Sequence, residues 1–256
     1  MEKNKLQRKE KIKEVIKKLD QAKGGQLKQV KKEAIQFFKD IEPDELALAE
    51  QELIKEGTER SQIKKLCDVH LEVMKEKLEG IEQKDLPAWH PIQISKDEHK
   101  VIKEKLKKLK VTLDVISKKS SREEAKAEID ELKNLGHFFL ETEKHHRREE
   151  EAIFPYLEKH GIHEPPQIFT EDHHEFLAKK KELDRLSKEA DNLEFKQFVK
   201  NIKEIGEFLI ENLASHIYKE DNILYPMSLK YLSDQEWHEV RDKFDQIGYC
   251  CFSPKV

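Results

Sequence analysis

The spacing His145-x3-Glu149-x5-Pro155 recurs as His216-x3-Glu220-x5-Pro226, and the apolar residues inside it correspond as well, Ala152-Ile153-Phe154 against Ile223-Leu224-Tyr225. Residues four apart on a helix lie on one face a turn from each other, so each copy aims an imidazole and a carboxylate in the same direction. If both faces turn inward, ionised carboxylates enter a core where an unpaired charge is costly. Two antiparallel helices can meet that condition by converging on cations. Imidazole nitrogens plus bridging carboxylate oxygens are how dimetal sites form inside helical bundles. The repeat therefore predicts helices, a bundle and a metal.

The rest of the chain agrees with helices. Apolar residues recur at helical spacing, strictly alternating β-branched runs are absent, and Gly 8 and Pro 8 are few among 256 residues. The 40% of charged residues would suggest disorder, but Lys+Arg 49 against Asp+Glu 53 nearly cancel. The expected fold is all-α, an up-down-up-down four-helix bundle preceded by a small N-terminal helical domain. Helices are predicted over 3–22 and 26–39 around Gly24-Gly25, over a third segment from Pro43 to about Gly57, and over a fourth that Ser61 caps and Ile63, Leu66, Val69, Val73 and Leu78 carry. Two prolines in Asp85-Leu86-Pro87-Ala88-Trp89-His90-Pro91 then break the pattern. They set a boundary near residue 85, with one domain over 1–85 and the bundle over 86–256. Four long helices are expected at about 94–118, 122–158, 166–189 and 194–230, with a short one at 233–246.

Buried ligands should continue an apolar stripe. His99 runs into Ile102, Leu106, Leu109 and Leu113 without a phase break, and Leu209 and Leu213 run into His216, Glu220 and Ile223. In the second bundle helix Leu132, Leu135 and Phe139 admit two registers. Matching the prolines favours His145 with Glu149; His146 with Glu150 competes, and Glu150 also stands five after His145, as Asp221 does after His216. The third helix offers Asp172-His173-His174-Glu175 near its start, from which His173 is taken as the inward residue. The candidate ligands are thus His99, His145, Glu149, His173, His216 and Glu220, with His90, His146 and Glu150 behind them. His90, beside Pro91, is either a further nitrogen ligand or part of the elbow.

Other features carry less chemistry. Cys67-Asp68-Val69-His70 matches no common zinc spacing and suits helix packing or partner binding better. Three cysteines, two of them the adjacent Cys250 and Cys251, suit a reducing compartment rather than a disulfide framework. A net charge of -4 with acid and base interleaved argues against nucleic acid as partner. No apolar stretch approaches the roughly 18 residues needed to cross a bilayer, and no membrane partner is expected. The expected location is cytoplasmic.

At these residues the sequence resembles the hemerythrin-like HHE cation-binding family, whose helices carry His-x3-Glu before a Leu-Phe-Pro-like end. The likeness runs over about residues 90 to 230, and His99 and His173 match the family's single-histidine helices. The part before it, with Glu45-Leu-Ala-Leu-Ala-Glu-Gln-Glu-Leu-Ile-Lys-Glu-Gly57 and Lys65-Leu-Cys67-Asp-Val-His70, is similar to an uncharacterised helical domain that precedes such modules in bacteria and archaea. The resemblance implies two iron ions held by four or five histidines and bridged by Glu149 and Glu220, although manganese or zinc accepts the same ligands. In oxygen-carrying members the third helix bears two histidines four apart. Here Leu177 and Ala178 follow His173 and His174 at that spacing. Coordination is then altered or completed from elsewhere, with His90 one source. This moves the expectation away from oxygen carriage, toward relatives that handle nitric oxide or supply iron for damaged iron-sulfur centres.

The leading expectation is a non-haem di-iron protein that senses or binds oxygen, nitric oxide or related oxidants, its N-terminal domain passing the signal to an unknown protein partner. One rival is a redox enzyme or iron donor that handles nitric oxide or peroxide or repairs iron-sulfur centres. The other is a metal-free helical interaction protein.

Overall fold

A computed structural model describes residues 2–22, 25–38, 41, 43–59 and 86–255. Among them every regular element is helical, and no helix is long and apolar enough to cross a membrane. The predicted helix from Ser61, and with it Cys67-Asp68-Val69-His70, lies outside the described residues. The chain forms two compact units: Met1–Asp85 with Leu157–Ile168 and Asn222–Tyr231, and Leu86–Tyr156 with Phe169–Asp221 and Leu232–Val256.

In the first unit, α1 (Glu2–Gln21) packs on α2 (Gly25–Phe38) and α3 (Pro43–Lys55). Ile12, Ile16 and Leu19 are buried along one stripe of α1, as are Ala34 and Phe38 of α2 and Leu46, Ala49 and Leu53 of α3. Salt bridges run along the seam: Lys9 pairs with Glu52, and Lys13 Nζ lies 2.6 Å from Glu56 Oε1. Gln51 on α3 reaches the turn around Gly161, donating to the Gly161 carbonyl at 3.0 Å and accepting from the His163 amide at 2.8 Å. Gly161 has φ +84°, a left-handed conformation that glycine adopts without strain.

The second unit contains the bundle. Its first helix, α4 (Pro91–Ile116), is followed by α5 (Lys126–Glu141) and α6 (Glu143–Arg148). A π-helical turn (Glu149–Ile153) and α7 (Phe154–Lys159) continue α6. In chain order then come α8 (Glu164–Lys188) and α9 (Phe195–Lys219), a second π turn (Glu220–Leu224), α10 (Tyr225–Tyr231), which belongs to the first unit, and α11 (Asp234–Ile247). The expected second and fourth helices are therefore interrupted. Thr142 breaks the second, its hydroxyl donating to the Phe139 carbonyl at 2.6 Å. The π turns begin at Glu149 and Glu220, the same place in each copy of the repeat. Such turns admit one extra residue and recur at functional sites.

Neighbouring bundle helices run antiparallel. Lys108 of α4 pairs with Glu131 of α5 at 2.7 Å, while His99 meets His145 at the other end. Gly136 of α5 lies on Asp184 of α8, while His146 stacks on His173. Phe176 of α8 faces Phe208 of α9, and Gly206 of α9 faces Leu113 of α4. Leu109, Leu132, Leu183, Phe198 and Leu209 fill the centre at 0% exposure. The apolar core occupies one end of the bundle and the repeat the other.

A Cβ on Gly136 would stand 2.7 Å from the Asp184 Cα, a backbone atom that cannot swing aside, whereas a Cβ on Gly206 meets only the tip of Leu113. Gly136→Ala should cost about 1–3 kcal/mol as overpacking. Thermal unfolding should show a midpoint several degrees lower, and Gly206→Ala a smaller loss. Equal midpoints for the two variants would contradict this close approach.

Candidate metal centre

Four helices deliver buried donors to one place. α4 carries His99; α6 and its π turn carry His145, His146 and Glu149; α8 carries His173; α9 and its π turn carry His216 and Glu220. None is more than 3% exposed. They form three overlapping groups, His99/His145/Glu220, His146/His173/His216 and Glu149/His173/Glu220, with donor atoms within 4.8 Å of one another in each. Glu220 spans the cluster: Oε2 lies 3.1 Å from His99 Nε2 and Oε1 lies 2.8 Å from His216 Nε2. Glu149 Oε2 lies 3.7 Å from His145 Nε2 and 3.5 Å from His173 Nε2. Each carboxylate thus stands between histidines of both sides.

The orientation of four imidazoles is set by a carboxylate behind each. Nδ1–H of His145 donates to Glu98 at 2.7 Å and that of His216 to Asp172 at 3.2 Å. Nδ1–H of His99 donates to Asp221 at 2.8 Å and that of His173 to Glu150 at 2.7 Å. The pattern has an internal two-fold. The acidic residue before each single histidine, Glu98 or Asp172, holds the histidine of a repeat helix. The acidic residue after each repeat glutamate, Glu150 or Asp221, holds a single histidine in return. A carboxylate on Nδ1 fixes the tautomer, leaving an Nε2 lone pair for the centre.

Those lone pairs face one another. The Nε2 atoms of His99 and His145 are 3.0 Å apart, and those of His173 and His216 are 2.9 Å apart. With each Nδ1 protonated, such approaches need a positive charge between the nitrogens, from a proton or a cation. Burial opposes protonation of His99, but Asp221 and Glu220 outweigh it and raise its pKa to about 9. His173 and His216 are also raised, against burial, by Glu150 and Glu220 and by Glu220 and Asp172 respectively. Burial pushes His145 down to about 4, so it can accept at Nε2. Burial likewise opposes ionisation of Glu220, yet the surrounding imidazoles hold it well below the usual carboxylate range. These nitrogen and oxygen donors, buried and aimed at shared points, fit a bound metal cation.

The structure brings His99, His145, Glu149, His173, His216 and Glu220 together. His145 and His146 were weighed as alternatives, and both point inward. A helix at a bundle corner touches two neighbours, and consecutive residues, about 100° apart, serve one each: His145 meets His99 and His146 stacks on His173, with ring centroids 4.1 Å apart. Lys180, fully buried on α8, closes that side, with Nζ 2.8 Å from Glu143 and 3.5 Å from His146 Nδ1. Glu150 stands behind His173 and joins none of the three groups. His90 joins none either. Its Nδ1 accepts from the Ile92 amide as the N-cap of α4, its ring packs on Trp237, and burial holds its pKa near 4. A residue preceding proline at the first helical position is a cap, a signal already in His90-Pro91. Helical periodicity assigns no role to Glu98 or Asp172, although an acidic residue precedes each single histidine.

Antiparallel helices that converge histidines and carboxylates on one buried point define a helical-bundle cation-binding protein. Residues 90–228 match the hemerythrin HHE cation binding domain, over half of the chain, and the chain belongs to that family. Residues 12–80 match a family of unknown function, DUF438. Comparison with curated proteins finds no match.

Three outcomes follow from the donors and their protonation. His99, with a pKa of about 9 against an ordinary 6.5, is charged at neutral pH and must lose its Nε2 proton to bind a cation. Metal uptake at pH 7 should therefore release protons, and affinity should fall as pH drops; titration calorimetry in buffers of different ionisation enthalpy measures this. Conversely, the stabilisation of the metal-free fold by charged His99 is complete below 6.5 and lost as pH rises through about 9. His146→Ala should lower metal content as His173→Ala does, whereas His90→Asn, which keeps a capping side chain, should leave it unchanged. Equal losses from His146→Ala and His90→Asn would refute this assignment.

Proposed function

We propose that this is a cytoplasmic non-haem di-iron protein that senses oxygen, nitric oxide or a related oxidant, with Glu149 and Glu220 bridging the two irons. The observation that carries this is the unequal division of histidines around shared carboxylates. His146, His173 and His216 face one position; His99 and His145 face the other. The two-histidine position has fewer protein donors and would be the one to accept an exogenous diatomic ligand. Bound iron would supply the redox couple and the exchangeable position. The protein's own residues orient the donors and exclude water: Phe169 and Phe176 lie 4.9 and 5.0 Å from the His216 ring, and Phe154 stacks 6.1 Å from His173. Iron, rather than manganese or zinc, follows from the family resemblance, since the donors accept all three.

His146 supplies the imidazole that Leu177 denies to the third helix, so the number of histidines no longer argues against oxygen carriage. Chain connectivity supports sensing. One residue after Glu220, at Asp221, the chain leaves the bundle unit and enters Asn222–Tyr231, which groups with α1–α3. A change in how Glu220 is held is thus covalently close to the N-terminal unit. We take residues 1–85 as the domain that passes the state of the site to a protein partner, and 86–256 as the domain that holds it.

Protein purified from iron-supplied cells should contain about two irons per chain and show an optical spectrum that changes on exposure to oxygen. Glu149→Ala and Glu220→Ala should each lose both. Careful purification that yields no iron, manganese or zinc would sink this assignment.

A further inference from the structure

Of the four outer carboxylates, Glu98 is gripped by a residue near the C-terminal end of the described chain, Ser253. Glu98, behind His145, is 0% exposed and carries three partners: Oε2 accepts from His145 and from Arg148, and Oε1 accepts from Ser253. Arg148 is itself 0% exposed, donates to the Gly248 carbonyl at 2.9 Å, and sits 5.1 and 5.0 Å from the Phe244 and Tyr249 ring centroids. Phe252 lies 4.6 Å from Phe138 and pins the segment to the bundle, with Cys250 buried between. Asp172, the counterpart of Glu98, stands on the other side of the two-fold, where the residue matching Arg148 is Lys219. The segment that closes over Glu98 lies beyond residue 228, where the family match ends.

We propose that the C-terminal segment Gly248–Ser253 is a working part of the metal centre, holding Glu98 so that His145 keeps its orientation at the two-histidine position. This rests on the dimetal assignment above. A buried Glu–Arg pair is a poor stabiliser by itself, and its burial is tolerable only when the remaining donors and acceptors are satisfied. Gly248 and Ser253 supply those partners. Arg148 and Ser253 are positioning residues: neither touches the cation, and both act through Glu98. The segment acts on the side of the centre that His99 and His145 supply.

Anaerobic titration of the full chain with cobalt(II), followed by its visible spectrum, tests this. Wild-type protein should take up about two equivalents. Glu98→Gln should weaken one of them by about 10–100-fold, as loss of an outer hydrogen-bond partner does. Ser253→Ala should weaken the same equivalent by less, and Ser253→Thr, which keeps the hydroxyl, should restore it. Glu150→Gln, behind His173, should weaken the other equivalent and change a different part of the spectrum. Helical content should be unchanged in Ser253→Ala, which keeps the test alive if Glu98→Gln fails to fold. Two wild-type equivalents that Ser253→Ala leaves untouched, or weakens equally, would overturn the role of the segment alone. A wild-type protein that binds fewer than two would overturn the dimetal assignment and this proposal with it.

Discussion

Everything at the repeat end of the bundle follows from burying the Glu149 and Glu220 carboxylates. Neither is more than 1% exposed, so each must have positive charge nearby. Histidine is suited to this because it can supply a proton or a lone pair at the same atom. Without a cation, imidazole protons such as that on His99, whose pKa is raised to about 9, offset the carboxylates. A cation can replace those protons with little rearrangement, because the nitrogens already converge. The apolar core at the opposite end, around Leu109, Leu132 and Leu209, holds the helices in place while charge is exchanged.

The centre is built twice and then made unequal. A single histidine preceded by an acid and a repeat helix with a paired acid produce the same reciprocal hydrogen bonds on each side. His146 breaks that symmetry, since the residue matching it in the second copy is Ile217. Arg148 and Ser253 break it again by gripping Glu98. Both departures set the His99 and His145 side of the cluster apart from the His146, His173 and His216 side.

Much of this was legible in the sequence. Helical periodicity predicted the bundle helices to within a few residues, because a stripe such as Ile102, Leu106, Leu109 and Leu113 has no other good use. The two His-x3-Glu copies selected most donors. What periodicity could not show was how a corner helix divides consecutive residues between two neighbours, so His145 and His146 read as alternatives although both point inward. Nor could it place the π turns, because these respond to the geometry around Glu149 and Glu220 rather than to local propensity. The grip on Glu98 depends on Arg148, 50 positions away in the chain, and Ser253, 155 away, and only folding brings them to it.

The central claim is that two cations share Glu149 and Glu220 inside this bundle. A crystal of the iron-loaded protein measured on either side of the iron absorption edge tests it most directly. The account predicts two anomalous peaks, one beside His99 and His145 and one beside His146, His173 and His216, with both glutamates between them. One peak alone, or iron bound outside this cluster, would contradict it.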